Sequence, residues 1–294
     1  MPNIEILPTG QDLLGECPLW DIPSQSLYWI DSHRRLVRNY QPSTGAQTQW
    51  ELPEEIGSIA LCESGQILVA LVNRFVRLNP ATGAITPLGQ ARVEHVADNI
   101  RLNDGRADRG GRFLVGSLVK NREEPLGALY QVSGDQVREL DRGFRVANAT
   151  CFSPDGRWLY FADSLQRAIF RYPYDPATGQ AGERELFIDT ARLNSGPDGA
   201  TVDAEGGLWV ALVLTAQLAR FHADGSLDRV IDCPVPYVTC PCFGGEALDT
   251  IYLTSISNSG HMLRSDHPQA GAFMAIHGTG VKGLPEGRFD DRHI

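Results

Sequence analysis

Short apolar runs recur along the chain at a nearly constant interval. "SLYWID", "QILVAL", "RFLVGSL", "RWLYFAD", "GLWVAL" and "TIYLTSI" align on Leu27, Ile67, Phe113, Leu159, Leu208 and Ile251, spaced by 40, 46, 46, 49 and 43 residues. Runs this short, bounded by turn residues, read as buried strands. Three are followed by segments that alternate apolar and polar positions, "RRLVRNY", "RFVRLN" and "RAIFRYPY", the pattern of a half-buried strand. After each of these the chain writes nearly the same turn: "QPSTGAQT" from Gln41, "NPATGAIT" from Asn79 and "DPATGQAG" from Asp175. Proline presets φ there and glycine accepts a positive φ. "VSGDQVRE" and "HADGSLDR" hold the same place in the third and fifth periods, so the turn is a hairpin between outer strands.

A period of 40–50 residues with several strands and no helical pattern predicts an all-β, six-bladed β-propeller. No linker divides the chain, which reads as a single domain over residues 1–294. The last period is irregular, because "SNSGHMLRSDHPQAGAFMAIHG" places a polar insert before its outer strand. Ring closure is expected from "IEILPTG" near the N-terminus, as a strand added to the last blade.

Composition narrows the partners more than the fold. With 42% hydrophobic and 21% charged residues the chain can bury a sizeable core. A net charge of −10 argues against a nucleic-acid partner, since phosphates call for a basic face. No run approaches the ~20 apolar residues of a membrane span. The opening "MPNIEILPTGQDLLGE" lacks the basic start and apolar stretch of a secretory signal, so a cytoplasmic address is expected. The six cysteines are scattered without a C-x-x-C and are read as reduced, packed thiols. A monomer is the default for a closed ring.

Common catalytic signatures are missing: no G-x-S-x-G, P-loop or H-E-x-x-H occurs. The seven histidines show no metal-ligand spacing. The repeat register gives a better lead. In a propeller the strand preceding each apolar run lines the central channel, and equal offsets share a height around one axis. Ten or eleven residues upstream stand Glu16, Asn103, Asn148 and Asp198; the second period offers Ile56 and Gly57, the sixth Cys240 and Pro241. Carboxylates and amides gathered on one axis repel or stay unsatisfied without a partner. One divalent cation resolves this, and oxygen ligands suit Ca²⁺, Mg²⁺ or Mn²⁺, with Zn²⁺ or Fe²⁺ also admissible. The competing reading is local: Asp or Asn before Gly usually marks a turn, as expected among Asp104-Gly105, Asp155-Gly156 and Asp224-Gly225, and Asp198-Gly199 alone reads the same way.

The segments "LGECPLWD", "RLNDGRADRGGRFLVGSL", "NATCFSPDGRWLYFADS", "GPDGATVDAEGGLWVAL" and "CPCFGG" resemble the senescence-marker-protein/gluconolactonase family, which includes regucalcin and bacterial sugar lactonases. The likeness covers nearly the whole chain, in order. It implies a six-bladed propeller with one catalytic divalent metal in the channel, on Glu16, Asn148 and Asp198. It also implies that Arg101 and Asn103 bind the substrate. The sequence departs from the family where a substrate-contacting Glu is expected: Lys120 and Asn121 stand there, with Glu123 or Glu124 available to compensate. The loop from Val119 to Leu126 is then a specificity rim.

The implied reaction is hydrolysis of a sugar (aldono-) lactone to its acid, with Asp198 as general base. Two alternatives compete. One is a calcium-dependent arylesterase or phosphotriesterase on the same scaffold, which favours an apolar pocket over Arg101 and Asn103. The other is a non-catalytic metal-binding propeller. Trp20-Asp21 is the only W-D pair, which disfavours a W-D repeat scaffold.

Overall fold

The computed structural model describes every residue except 1, 121–123, 261 and 293. Among the described residues, 24 strands form six antiparallel four-stranded sheets, the blades of a β-propeller. Five blades use four consecutive strands each. The sixth takes three, Val238–Gly244, Thr250–Ser255 and Ala272–His277, and borrows its outermost strand, Asn3–Gln11, from the other end of the chain. Asn3 pairs with His277 and Ile6 with Met274, so the expected closure by "IEILPTG" is what the ring uses.

The thrice-repeated turn joins outer strands in blades 1, 2 and 4. Gly45, Gly83 and Gly179 sit at φ 72°, 73° and 75°, in the left-handed region that costs glycine little. Their N–H groups donate to the carbonyls of Gln41, Asn79 and Asp175 at 2.9, 2.8 and 2.7 Å.

The core lies in the seams between blades. Cys17, Ile30 and Val37 of blade 1 pack on Ile59 and Val69 of blade 2. Trp209 of blade 5 meets Phe243 and Ile251 of blade 6. At the closing seam Trp20 stacks on Tyr252 at 5.6 Å and Trp29 lies 4.9 Å from Phe273. Each seam buries apolar faces from two blades, so no blade is stable by itself.

The innermost strands, Gly15–Asp21, Ser58–Leu61, Ile100–Ala107, Ala147–Phe152, Pro197–Val202 and Val238–Gly244, all run the same way along the channel. We call the end where they begin the upper end. The lower end is closed by the C-terminal segment, which has no place in the repeat. Lys282 O accepts from Ala204 N, Gly283 N donates to Leu248 O, Phe289 N to Leu61 O and Asp290 N to Gly111 O, at 2.7–2.9 Å. These partners lie in the hairpins at the lower ends of blades 5, 6, 2 and 3, and Phe289 is fully buried between them.

Candidate active site in the channel

Five of the six inner strands share a defect. Register slips between Glu16 and Leu19, Leu102 and Gly105, Asn148 and Cys151, Pro197 and Ala200, and Val238 and Pro241. Only the blade 2 strand pairs without a break. A bulge adds an unpaired residue and re-aims its neighbours. Glu16, Asn103, Asn148 and Asp198 all lie at these slips. Cys17 and Ala149, directly after Glu16 and Asn148, take φ 49° and 56°, a left-handed conformation that non-glycine residues hold only when their surroundings enforce it.

Asp198-Gly199 is therefore part of an inner strand and not a turn. A Cβ on Gly199 would come 2.4 Å from Cys240 Sγ, so glycine is needed for blades 5 and 6 to meet there. Asp104-Gly105, expected among the turns, is corrected likewise: both sit in the blade 3 inner strand and are buried. Asp155-Gly156 and Asp224-Gly225 are turns, with Gly156 and Gly225 at φ 71° and 86°.

A hydrogen-bond chain fixes the orientation of the amides. Ser164 Oγ donates its single proton to Pro197 O at 2.7 Å, so it accepts from Asn148 Nδ2 at 2.8 Å. Asn148 Oδ1 in turn accepts from Asn103 Nδ2 at 3.1 Å, and that nitrogen also donates to Ala147 O at 2.8 Å. Asn103 Oδ1 then accepts from Arg101 Nη1 at 3.1 Å. The backbone entering two of these strands is pinned from below. Asp31 accepts from Leu13 N and Leu14 N at 2.9 and 3.4 Å, and Asp163 accepts from Arg145 N and Val146 N at the same distances.

Burial pushes the Glu16 carboxyl well above its ordinary range, and the charges of Asp198 and Asp104 push it further; Arg101 pulls the other way. Asp104 is likewise raised by burial, although it accepts from Thr150 N at 2.7 Å. Among the described residues no three His, Cys, Asp or Glu side chains form a group able to hold an ion. A cation here needs the Asn148 oxygen beside Glu16 and Asp198. That donor set of two buried like charges and one oriented amide fits a hard divalent ion.

Nearer the rim, Glu55 gathers three bases: His33 Nδ1 at 3.1 Å, Lys120 Nζ at 3.3 Å and Arg101 Nε at 4.0 Å. Asn121 and Glu123, the expected specificity residues, lie outside the described residues; Glu124 is exposed. Asp104, Ser164 and Glu55 escape a reading by register. The paired "WID" and "FAD" endings were the available signal for Asp31 and Asp163.

The profile of the SMP-30/gluconolactonase/LRE-like region matches residues 14–257. The chain is 35% identical to 6-deoxy-6-sulfogluconolactonase of Pseudomonas putida, over 94% of this chain and 95% of that protein. It is 31% identical to regucalcin of Gallus gallus, over 97% and 98%. Among solved structures, a calcium-binding protein, regucalcin, from Agrobacterium tumefaciens superposes with a TM-score of 0.89 at 29% identity, covering 97% of this chain and 96% of that one. A luciferin-regenerating enzyme gives 0.91 at 27%, covering 99% and 100%.

Proposed function

The chain belongs to the SMP-30/gluconolactonase/LRE-like family, and from that premise we propose that it is a metal-dependent sugar lactonase, opening an aldonolactone to the aldonic acid. The observation that carries the reading is that the charge of Asp198 helps to raise the Glu16 carboxyl, while Ser164 orients the Asn148 amide at the matching register slip of its own blade. A relative named as a 6-deoxy-6-sulfogluconolactonase supports lactone hydrolysis.

Glu16, Asn148 and Asp198 would hold the ion. Bound there, a divalent cation supplies Lewis acidity toward a carbonyl oxygen and lowers the pKa of water. Asp198 accepts the proton of the attacking water at a carboxylate oxygen and returns it to the departing ring oxygen, so the lactone C–O bond breaks without a free alkoxide. Arg101 and Asn103 bind the sugar hydroxyls and fix the ring; held geometry of this kind contributes rate by positioning. Ser164 keeps the Asn148 oxygen toward Asn103 and the channel.

A second reading has support in the regucalcin relatives, one of them described as a calcium-binding protein: a propeller that binds its ion without turnover. One experiment separates the two. Metal-stripped protein is assayed by pH-stat on a panel of aldonolactones, with Ca²⁺, Mg²⁺, Mn²⁺, Zn²⁺ or Fe²⁺ restored singly. Acid release with one ion establishes the lactonase. Folded protein that binds an ion and releases no acid from any lactone is the silent binder.

A further inference from the structure

We infer that the upper mouth of the channel carries an anion-recognising subsite, built on Lys120 and His33 around Glu55, so that the preferred lactone bears a negatively charged group remote from its carbonyl. This rests on the lactonase reading and extends it to a substrate class.

Glu55 is one carboxylate facing Lys120, Arg101 and His33 at 3.3, 4.0 and 3.1 Å. With a neutral imidazole the cluster still carries one net positive charge. These contacts hold the Glu55 carboxyl down at about 2, the His33 hydrogen bond contributing most. It stays ionised at any working pH, which makes it a bracket for cations and no proton carrier. An ammonium has three N–H donors, and Lys120 spends one on Glu55 among the described residues. Its side chain is 49% exposed, so the remaining donors face incoming solute. His33 Nε2 is a buried nitrogen with no partner among the described residues. The acidic side chains of the adjoining loops, Asp98 and Glu124, are exposed and form no pair with Lys120 among the described residues.

Placement supplies the second step. The subsite is joined to the proposed ion ligands by direct contacts, Asn148 to Asn103, Asn103 to Arg101 and Arg101 to Glu55. Because the C-terminal segment closes the lower end, the tail of a lactone whose carbonyl lies at Asn148 extends upward, along this line. The protein carries a net charge of −10 and only two lysines, Lys120 and Lys282. A positive locus at the mouth of an otherwise acidic molecule focuses anions there. The chemistry recognised is an oxyanion on the sugar chain, whether phosphate, sulfonate or carboxylate.

The test compares kcat/KM for gluconolactone, its 6-phosphate and its 6-carboxylate analogue in wild type, K120Q and K120E. The expected result is a preference of about tenfold or more for an anionic lactone, shrinking as salt rises because screening weakens exposed charge pairs, several-fold smaller in K120Q and lost in K120E. The two anionic arms tell a phosphate-type from a carboxylate-type tail. A wild-type ratio near one, or a ratio that K120E leaves unmoved, overturns the subsite while the lactonase stands. Should no lactone be turned over, calorimetric binding of 6-phosphogluconate decides: weaker binding to K120E than to wild type retains the subsite, and equal or absent binding removes it.

Discussion

The two ends of the channel bury charge in opposite ways. At the lower end Arg106 donates to Glu286 at 2.6 Å and to Ala200 O at 3.2 Å, with side chains 7% and 11% exposed. Glu286 belongs to the closing C-terminal segment, so the ion pair locks the strap to the ring. At the upper end the charges of Asp198 and Asp104 add to burial in raising the Glu16 carboxyl, and Arg101 pulls the other way. A compensated buried pair is a structural joint, whereas carboxylates that raise one another are a donor set suited to a cation. The thiols follow the same logic. Burial drives Cys17 up to about 12 and Cys151, Cys240 and Cys242 upward as well. They are inert packing at neutral pH, consistent with their reading as packed thiols.

The sharpest way to break this contrast is to remove the upper carboxylates. Asp198→Ala is expected to lower kcat/KM by about 10⁴-fold, the upper range for loss of a general base, and Glu16→Gln to do nearly as much through the ion. Yet metal-free Glu16→Gln should unfold at the same denaturant concentration as wild type or a higher one, since it removes a repulsive charge. Near-wild-type turnover in either variant would sink the site assignment. The lower end should answer in reverse. Glu286→Gln leaves Arg106 charged, buried and unpaired, which costs about 3–5 kcal/mol, and a double change to Arg106→Met with Glu286→Leu should recover much of that loss. If denaturant unfolding finds the single variant as stable as wild type, the strap is not held by this pair.

A smaller effect concerns pH. The folded Glu16 carboxyl lies above its unfolded value near 4.5, so between the two the folded state binds more protons and stability falls as pH rises. Asp12, raised by burial to about 6 from 3.8, acts in the same direction over its own window. Metal-free protein should therefore melt at progressively lower temperature as pH is raised from about 4.5. A bound divalent ion should reverse the loss, adding about 2.7 kcal/mol at a hundredfold excess over its Kd. Thermal melts with and without chelator across pH 5–8 check both signs; an ion-independent profile would leave the upper end without its cation.

The two ends also differ in how much of them the sequence discloses. Apolar spacing is set by the blade itself, so six strands aligned on Leu27 through Ile251 imply six blades, and equal offsets from them find Glu16, Asn103, Asn148 and Asp198. The repeated "P-x-T-G" turn is local chemistry and reads locally. The lower closure does not, because residues 279–294 have no period and their hydrogen bonds go to hairpins in four different blades. Asp104 was hidden for the opposite reason. Its neighbour Gly105 looks like a turn residue, but a Cβ there would lie 2.6 Å from Leu114 O, a demand of packing that neighbouring letters do not carry. Glu55 lies between strands, where no register applies.

The smallest expected effect asks whether the upper end stores backbone strain in addition to charge. Ala149 holds φ 56° beside Asn148, with Thr150 N donating to Asp104 at 2.7 Å. Ala149→Gly removes the cost of a left-handed non-glycine residue, about 1 kcal/mol, while the freer unfolded chain takes back about 0.4–1 kcal/mol. The two nearly cancel, so a stability change below about 0.5 kcal/mol is expected on those terms. Denaturant unfolding of the metal-free variant measures it. A gain well above 1 kcal/mol would mean that the bulge is strained beyond its dihedral, and that part of what ion binding relieves is conformational. A clear loss would mean that the Ala149 methyl, fully buried in the seam with Ala200 and Val210, is what holds the Asn148 amide in place.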